Sequence, residues 1–171
     1  MGDVFLEQIV KKRDTFKEIA IKFLIMLAGA LVFITSLLFL GNQFVGPFSL
    51  LIGVGGIYFA WYFATGLNLE FEYIYTNGEI DFDKISAKRK RKRIVTVRIS
   101  SFEDFGKFDL EKYKNQKYEV TINAATSLAD PETYYATFRN RDGKSCILMF
   151  TPSQKLLDTI NTQFRRKAYG K

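Results

Sequence analysis

Residues 23–69 contain no Asp, Glu, Lys or Arg. That block limits what the chain can become, because an α-helix crosses the hydrocarbon core of a bilayer with about 20 apolar residues. It holds two such lengths, at about 19–40 and 44–63. Gly41-Asn42-Gln43 lies between them as a short polar turn. Pro47 falls early in the second helix, where its missing N–H leaves no bond unmade. The pattern predicts a transmembrane helical hairpin over residues 15–67. A helix pair in a soluble core is the competing reading, but so long an uncharged block exceeds ordinary core helices. A cleaved signal peptide fits worse, since the first apolar run starts late, is too long and is followed at once by a second.

The chain's 25 basic and 18 acidic side chains all lie outside the block, and their placement predicts an orientation. Lys11, Lys12, Arg13, Lys17 and Lys22 flank the start of the first helix, and a basic run follows the second. The turn between the helices has no Lys or Arg. The excess of cations on the cytosolic side of membrane proteins then puts both termini in the cytosol, in a multi-pass protein of the cell membrane. Tyr58, Trp61 and Tyr62 fit an aromatic belt near the cytosolic end of the second helix. Gly56, Ala60 and Ala64 repeat every four residues, and Ser49 and Gly53 form another small pair. Small residues at that spacing let helices approach closely, either within the hairpin, which is the simpler reading, or in a homo-oligomer.

Residues 1–14 read as an amphipathic cytosolic arm. Val4, Phe5, Leu6, Ile9 and Val10, followed by Lys11-Lys12-Arg13, suit a short helix on the membrane surface; a frayed terminus is the alternative. Thr15-Phe16-Lys17-Glu18 is a capping box that starts a helix.

Residues 69–171 are strand-rich. Leu69–Thr76 alternates with Phe71, Tyr73 and Tyr75 on one face, Asn77-Gly78 is a two-residue hairpin turn, and Glu79–Ile85 alternates with Ile80 and Phe82 inward. This register sets Tyr73 opposite Phe82 and Glu72 opposite Asp83. Further strands read at Ile94–Ile99, Lys117–Asn123, Thr133–Asn140 and Ser145–Phe150, with a short strand or loop at Phe102–Phe108. Thr151-Pro152-Ser153-Gln154 then opens a helix whose Leu156, Leu157, Ile160 and Phe164 share one face. The expected fold is α+β: an N-terminal helical hairpin, then a small antiparallel barrel or sandwich closed by a C-terminal helix.

The stretch Phe71-Glu72-Tyr73-Ile74-Tyr75-Thr76-Asn77-Gly78-Glu79-Ile80, followed by Arg93-Ile94-Val95-Thr96-Val97-Arg98-Ile99, resembles bacterial pleckstrin-homology-like (PH-like) membrane proteins. The whole chain is also similar to a family of small two-helix bacterial membrane proteins. The resemblance implies a PH-like domain at 69–171 that binds or assembles rather than catalyses. It carries no single ligand, because PH-like domains bind lipids, peptides or other proteins.

Lys88-Arg89-Lys90-Arg91-Lys92-Arg93 cannot face a core, since alternate strand positions point both ways. The run is therefore a loop or an exposed strand end, and the hairpin register returns it to membrane level. Three readings stand: a topology signal, a site for anionic lipid headgroups shared with Lys11, Lys12 and Arg13, or a nucleic-acid patch. Nucleic acid is not expected as a partner, because the neighbouring aromatics alternate onto the core face and leave no stacking platform. The outward Glu72, Glu79, Asp81 and Asp83 call for neutralisation, by salt bridges from Arg98 or the basic run rather than by Ca²⁺.

No catalytic residues, metal or cofactor are expected. The chain has no histidine, hence neither a Ser-His nor a Cys-His pair, and its one cysteine, Cys146, sits in an apolar strand. The reading is a membrane-anchored, non-enzymatic scaffold or adaptor whose cytosolic domain binds a protein partner or anionic lipid. An oligomeric structural subunit is the alternative.

Overall fold

The computed structural model of the protein describes residues 5–114 and 116–169. The chain divides into two compact units. One takes the residues up to Arg13, Glu70–Ile85 and those from Arg89 onward; the other takes Asp14–Leu69 and Ser86–Lys88.

The second unit is a helix pair, α1 (Phe16–Leu38) and α2 (Gly46–Gly66). The start of α1 is fixed by the capping box: the Thr15 N–H donates to Glu18 Oε2 at 2.8 Å. Between the helices Asn42 Oδ1 accepts from the N–H groups of Phe44 and Val45 at 2.9 and 3.1 Å, which delays α2 to Gly46. Both helices are long and apolar enough to cross a membrane, and only 11% and 22% of their most apolar stretches are buried. Their apolar side chains point outward, and their small residues face each other. Gly29 and Ser36 of α1 and Gly46, Ser49, Gly53, Ala60 and Ala64 of α2 are the buried ones. A Cβ at Gly29 runs into the Ala60 methyl, and one at Gly53 into the Ser36 hydroxyl.

At the base of the pair, Lys22 Nζ donates to Asp14 Oδ2 at 2.5 Å and to Asn68 Oδ1 at 2.7 Å. The carbonyl of Asn68 accepts from the Ala87 N–H at 2.8 Å.

The first unit is built on two four-stranded sheets. One has the order β1-β2-β3-β4, with β1 at Phe5–Lys11, β2 at Leu69–Thr76, β3 at Glu79–Ser86 and β4 at Lys90–Arg98. The other has the order β5-β7-β8-β6, with β5 at Asp104–Lys107, β6 at Val120–Asn123, β7 at Tyr134–Arg139 and β8 at Ser145–Phe150. A short helix α3 (Leu110–Lys114) precedes β6, and α4 (Gln154–Tyr169) ends the described chain. The core holds the predicted inward residues. The rings of Tyr73, Phe82 and Phe150 lie 5.1–5.9 Å apart, with Ile80, Leu148, Leu156 and Ile160 around them. The buried Tyr73 hydroxyl donates to the Ala124 carbonyl at 2.5 Å and accepts from the Thr151 N–H at 3.2 Å.

Two features depart from the sequence reading. The first is a correction: the N-terminal arm is no surface helix but strand β1, paired antiparallel with β2, so the domain is not the continuous segment 69–171. Leu6, Gln8 and Val10 stand opposite Tyr75, Tyr73 and Phe71, and Leu6 and Val10 pack on the core. Gln8 Nε2 donates to the Thr151 carbonyl at 3.0 Å, and its Oε1 accepts from the Ser153 N–H at 2.6 Å. The alternation was hidden because Phe5 and Ile9, on the outer face, are apolar yet 59% and 55% exposed. Val4, also assigned to the apolar patch, lies outside the described residues.

The second departure is a parallel pairing of β6 with β8. Because β7 is antiparallel to β8 on its other side, the 124–133 connection crosses the end of β8 to begin β7.

Candidate functional site

The basic run falls in the β3–β4 hairpin. Asp83 and Lys84 belong to β3, Ala87–Arg89 make the turn, and Lys90 opens β4. Ala87 and Lys88 take left-handed conformations with φ of 54° and 55°. Two successive positive-φ residues suit a tight hairpin turn, but side chains enter that region at a cost in strain. Every residue from Lys88 to Arg93 is exposed.

Strand alternation then divides the run. Arg91 and Arg93 meet the outward carboxylates. Arg91 Nε donates to Asp83 Oδ2 at 2.8 Å, and its Nη2 pairs with Glu72 Oε2. Arg93 pairs with Asp83 through Nε and with Asp81 through Nη1 at 2.8 Å. Glu72 and Asp83 are only 3% exposed, so two carboxylates that share Arg91 sit out of water. Two guanidiniums offset the repulsion between them. The hydrogen bond to Asp83, with the charge of Asp81 behind it, holds the Arg93 guanidinium above its ordinary value.

The outer face continues past Arg93 with a change of phase. Thr96 Oγ1 donates to Asp81 Oδ1 at 2.6 Å, and Arg98 Nε donates to Glu79 Oε1 at 2.5 Å. Arg93, Thr96 and Arg98 thus reach one face although 93 and 96 differ in parity. Ile94 and Val95, between them, both pack on the core. Salt bridges from Arg98 and the basic run therefore neutralise the outward carboxylates. Among the described residues no group of three or more His, Cys, Asp or Glu is placed to hold a metal ion.

The other half of the run has different surroundings. Among the described residues no carboxylate pairs with Lys88, Lys90 or Lys92. Arg89 stands in the turn between them.

The remaining candidates are dispersed. Lys11 stands opposite Glu70 on the outer face of the first sheet. Arg13 is tied to the 124–133 connection: its N–H donates to the Thr126 carbonyl at 2.8 Å, and its guanidinium pairs with Asp130 at 3.2 Å. Lys12 lies between them, half-buried. Gly56 and Ala60 face α1, against Val32 and Gly29, and Ala64 is buried. Cys146 is buried in β8, and that burial pushes its thiol up.

Sequence reasoning missed the partners of this site. Nothing in the local pattern marked Asn68 as the acceptor for the hairpin turn, or Asp130 as the partner of Arg13. Both arise from contacts distant in sequence.

Across these elements the family model described as "Bacterial PH-like domain (DUF6106)" matches residues 2–170. No curated protein and no solved structure matches the chain. The family match spans β1, the helix pair and both sheets as one unit, and by that match the chain belongs to the bacterial PH-like domain family.

Proposed function

We propose that the protein is a membrane-anchored scaffold or adaptor, with both termini in the cytosol. Its PH-like domain is held at the anionic inner leaflet by the β3–β4 hairpin. PH-like domains are generally binding and scaffolding modules rather than enzymes. The outward apolar surface of α1 and α2 suits lipid, because so much exposed Leu, Ile and Phe is unfavourable in water.

The observation that carries the reading is the hydrogen bond from the Ala87 N–H to the Asn68 carbonyl. It ties the turn of the basic hairpin to the residue just beyond α2, so Lys88 stands where the chain leaves the helix. Cations beside an anionic leaflet gain about 1 kcal/mol each, an attraction that salt weakens. Among the described residues β1 and β4 are the outer strands of their sheet, where a partner strand would add.

The test uses the full chain in lipid nanodiscs, neutral or containing phosphatidylglycerol, with hydrogen exchange measured over residues 86–93. The reading expects slower exchange in the anionic discs, reversed by salt and absent after Lys88, Lys90 and Lys92 are all changed to Gln. Equal exchange in both lipids would overturn the lipid-docked reading and leave the run as a topology signal.

A further inference from the structure

We infer that the β3–β4 hairpin responds to the density of anionic lipid phosphate at the bilayer surface and not to the identity of the headgroup. This rests on the lipid-docked reading and adds the chemistry of the ligand. The cations of the run divide between two surroundings. Stereospecific recognition of a phosphorylated headgroup draws on planar guanidinium forks that bind two oxygens at once. Two of the run's three arginines are committed elsewhere: Arg91 bridges Glu72 and Asp83, and Arg93 bridges Asp81 and Asp83. Releasing Arg91 leaves the 3% exposed Glu72 without its salt bridge, and releasing Arg93 takes one of two guanidiniums from the equally buried Asp83.

The cations left without a carboxylate, Lys88, Lys90 and Lys92, are ammonium groups on flexible stems. An ammonium is a compact point charge that rotates to suit any phosphate and selects none by shape. The backbone fits the same role. The turn is fixed at Ala87 by the bond to Asn68 and by two left-handed residues, so it is held in place instead of reaching for a ligand. Fixed point charges beside a surface sense its mean potential.

The experiment follows hydrogen exchange of residues 86–93 in the full chain. Nanodiscs carry phosphatidylglycerol, phosphatidylserine, cardiolipin or a phosphatidylinositol phosphate at matched surface charge. A neutral disc with added inorganic phosphate separates lipid from free anion. The inference expects about tenfold slower exchange in every anionic disc, equal among headgroups at equal charge. It expects no effect of free phosphate and loss of the protection in every anionic disc when the three lysines become Gln. Stronger protection by one headgroup at matched charge, or protection by free phosphate, would overturn the inference and leave the docking intact. No protection in any anionic disc would overturn the docking itself.

Discussion

Lys11 stands opposite Glu70 in the antiparallel register of β1 and β2, with the whole helix pair between them in the chain. The α1–α2 segment is thus an insertion between two paired strands of one sheet. The ladder forms only if the chain leaves and returns on one side of any membrane the helices cross. Two crossings satisfy that requirement and a single crossing does not. This requirement rests on strand pairing and says only that the two strands share a side; which side that is remains the expectation from the charge asymmetry.

A labelling experiment checks this. With Cys146 changed to Ser, single cysteines at Lys11 and Glu70 are expected to react with a membrane-impermeant maleimide from the same side. A cysteine at Gln43 is expected to react only from the other. Labelling of Lys11 and Glu70 from opposite sides would break the argument.

Arg91→Gln and Lys90→Gln remove neighbouring positive charges but differ in consequence. The first takes the salt bridge from Glu72 and leaves Asp83 with Arg93 alone, both carboxylates being 3% exposed. A fully buried pair costs about 3–5 kcal/mol when broken, and the half-exposed Arg91 brings the expected loss to roughly 2 kcal/mol. The second touches no ion pair and is expected to change stability by less than about 0.5 kcal/mol. Thermal unfolding of both variants in one detergent separates them.

Gly29→Leu is expected to force α1 and α2 apart, because even a Cβ there meets the Ala60 methyl. The companion substitution Gly56→Leu meets Val32. Since both seams lie within the hairpin, loss of stability with no change in the mass of the detergent-solubilised particle is the expected result. A fall in oligomeric mass would show instead that the small-residue stripe joins two copies.

Tyr135 sits on β7 with its hydroxyl donating to Asp104 Oδ2 at 2.6 Å. Burial first, and Asp104 second, push the phenol up to about 12 from 10.0. The folded state therefore holds the proton more tightly than the unfolded chain. That contribution to stability is complete below pH 10 and disappears as the pH rises toward 12. Phenolate absorbance is expected to show Tyr135 titrating late together with Tyr118 and the buried Tyr73, and Tyr135→Phe removes its share of the late signal.

Local patterns carried much of the architecture. The capping box at Thr15, the Asn77-Gly78 turn, the inward tyrosines of β2 and the amphipathic face of α4 all use interactions between near neighbours, which the sequence displays directly. The site was legible in its composition and not in its wiring. Six adjacent cations announced a loop or an exposed strand end, but only the fold separates Arg91 and Arg93, turned to Glu72, Asp81 and Asp83, from the lysines beside them.

What the sequence by itself determined is therefore the uncharged helix pair, the strand-rich remainder and the charge asymmetry between them, because hydropathy and periodicity act residue by residue. What only the tertiary structure decided is the role of β1. Its outer Phe5 and Ile9 blur the alternation that Leu6, Gln8 and Val10 would show alone. Its partners, β2 and the Thr151–Ser153 backbone, lie far along the chain. A strand whose identity comes from distant hydrogen bonds has no local signature, and its place in the sheet is fixed only when the fold closes around it.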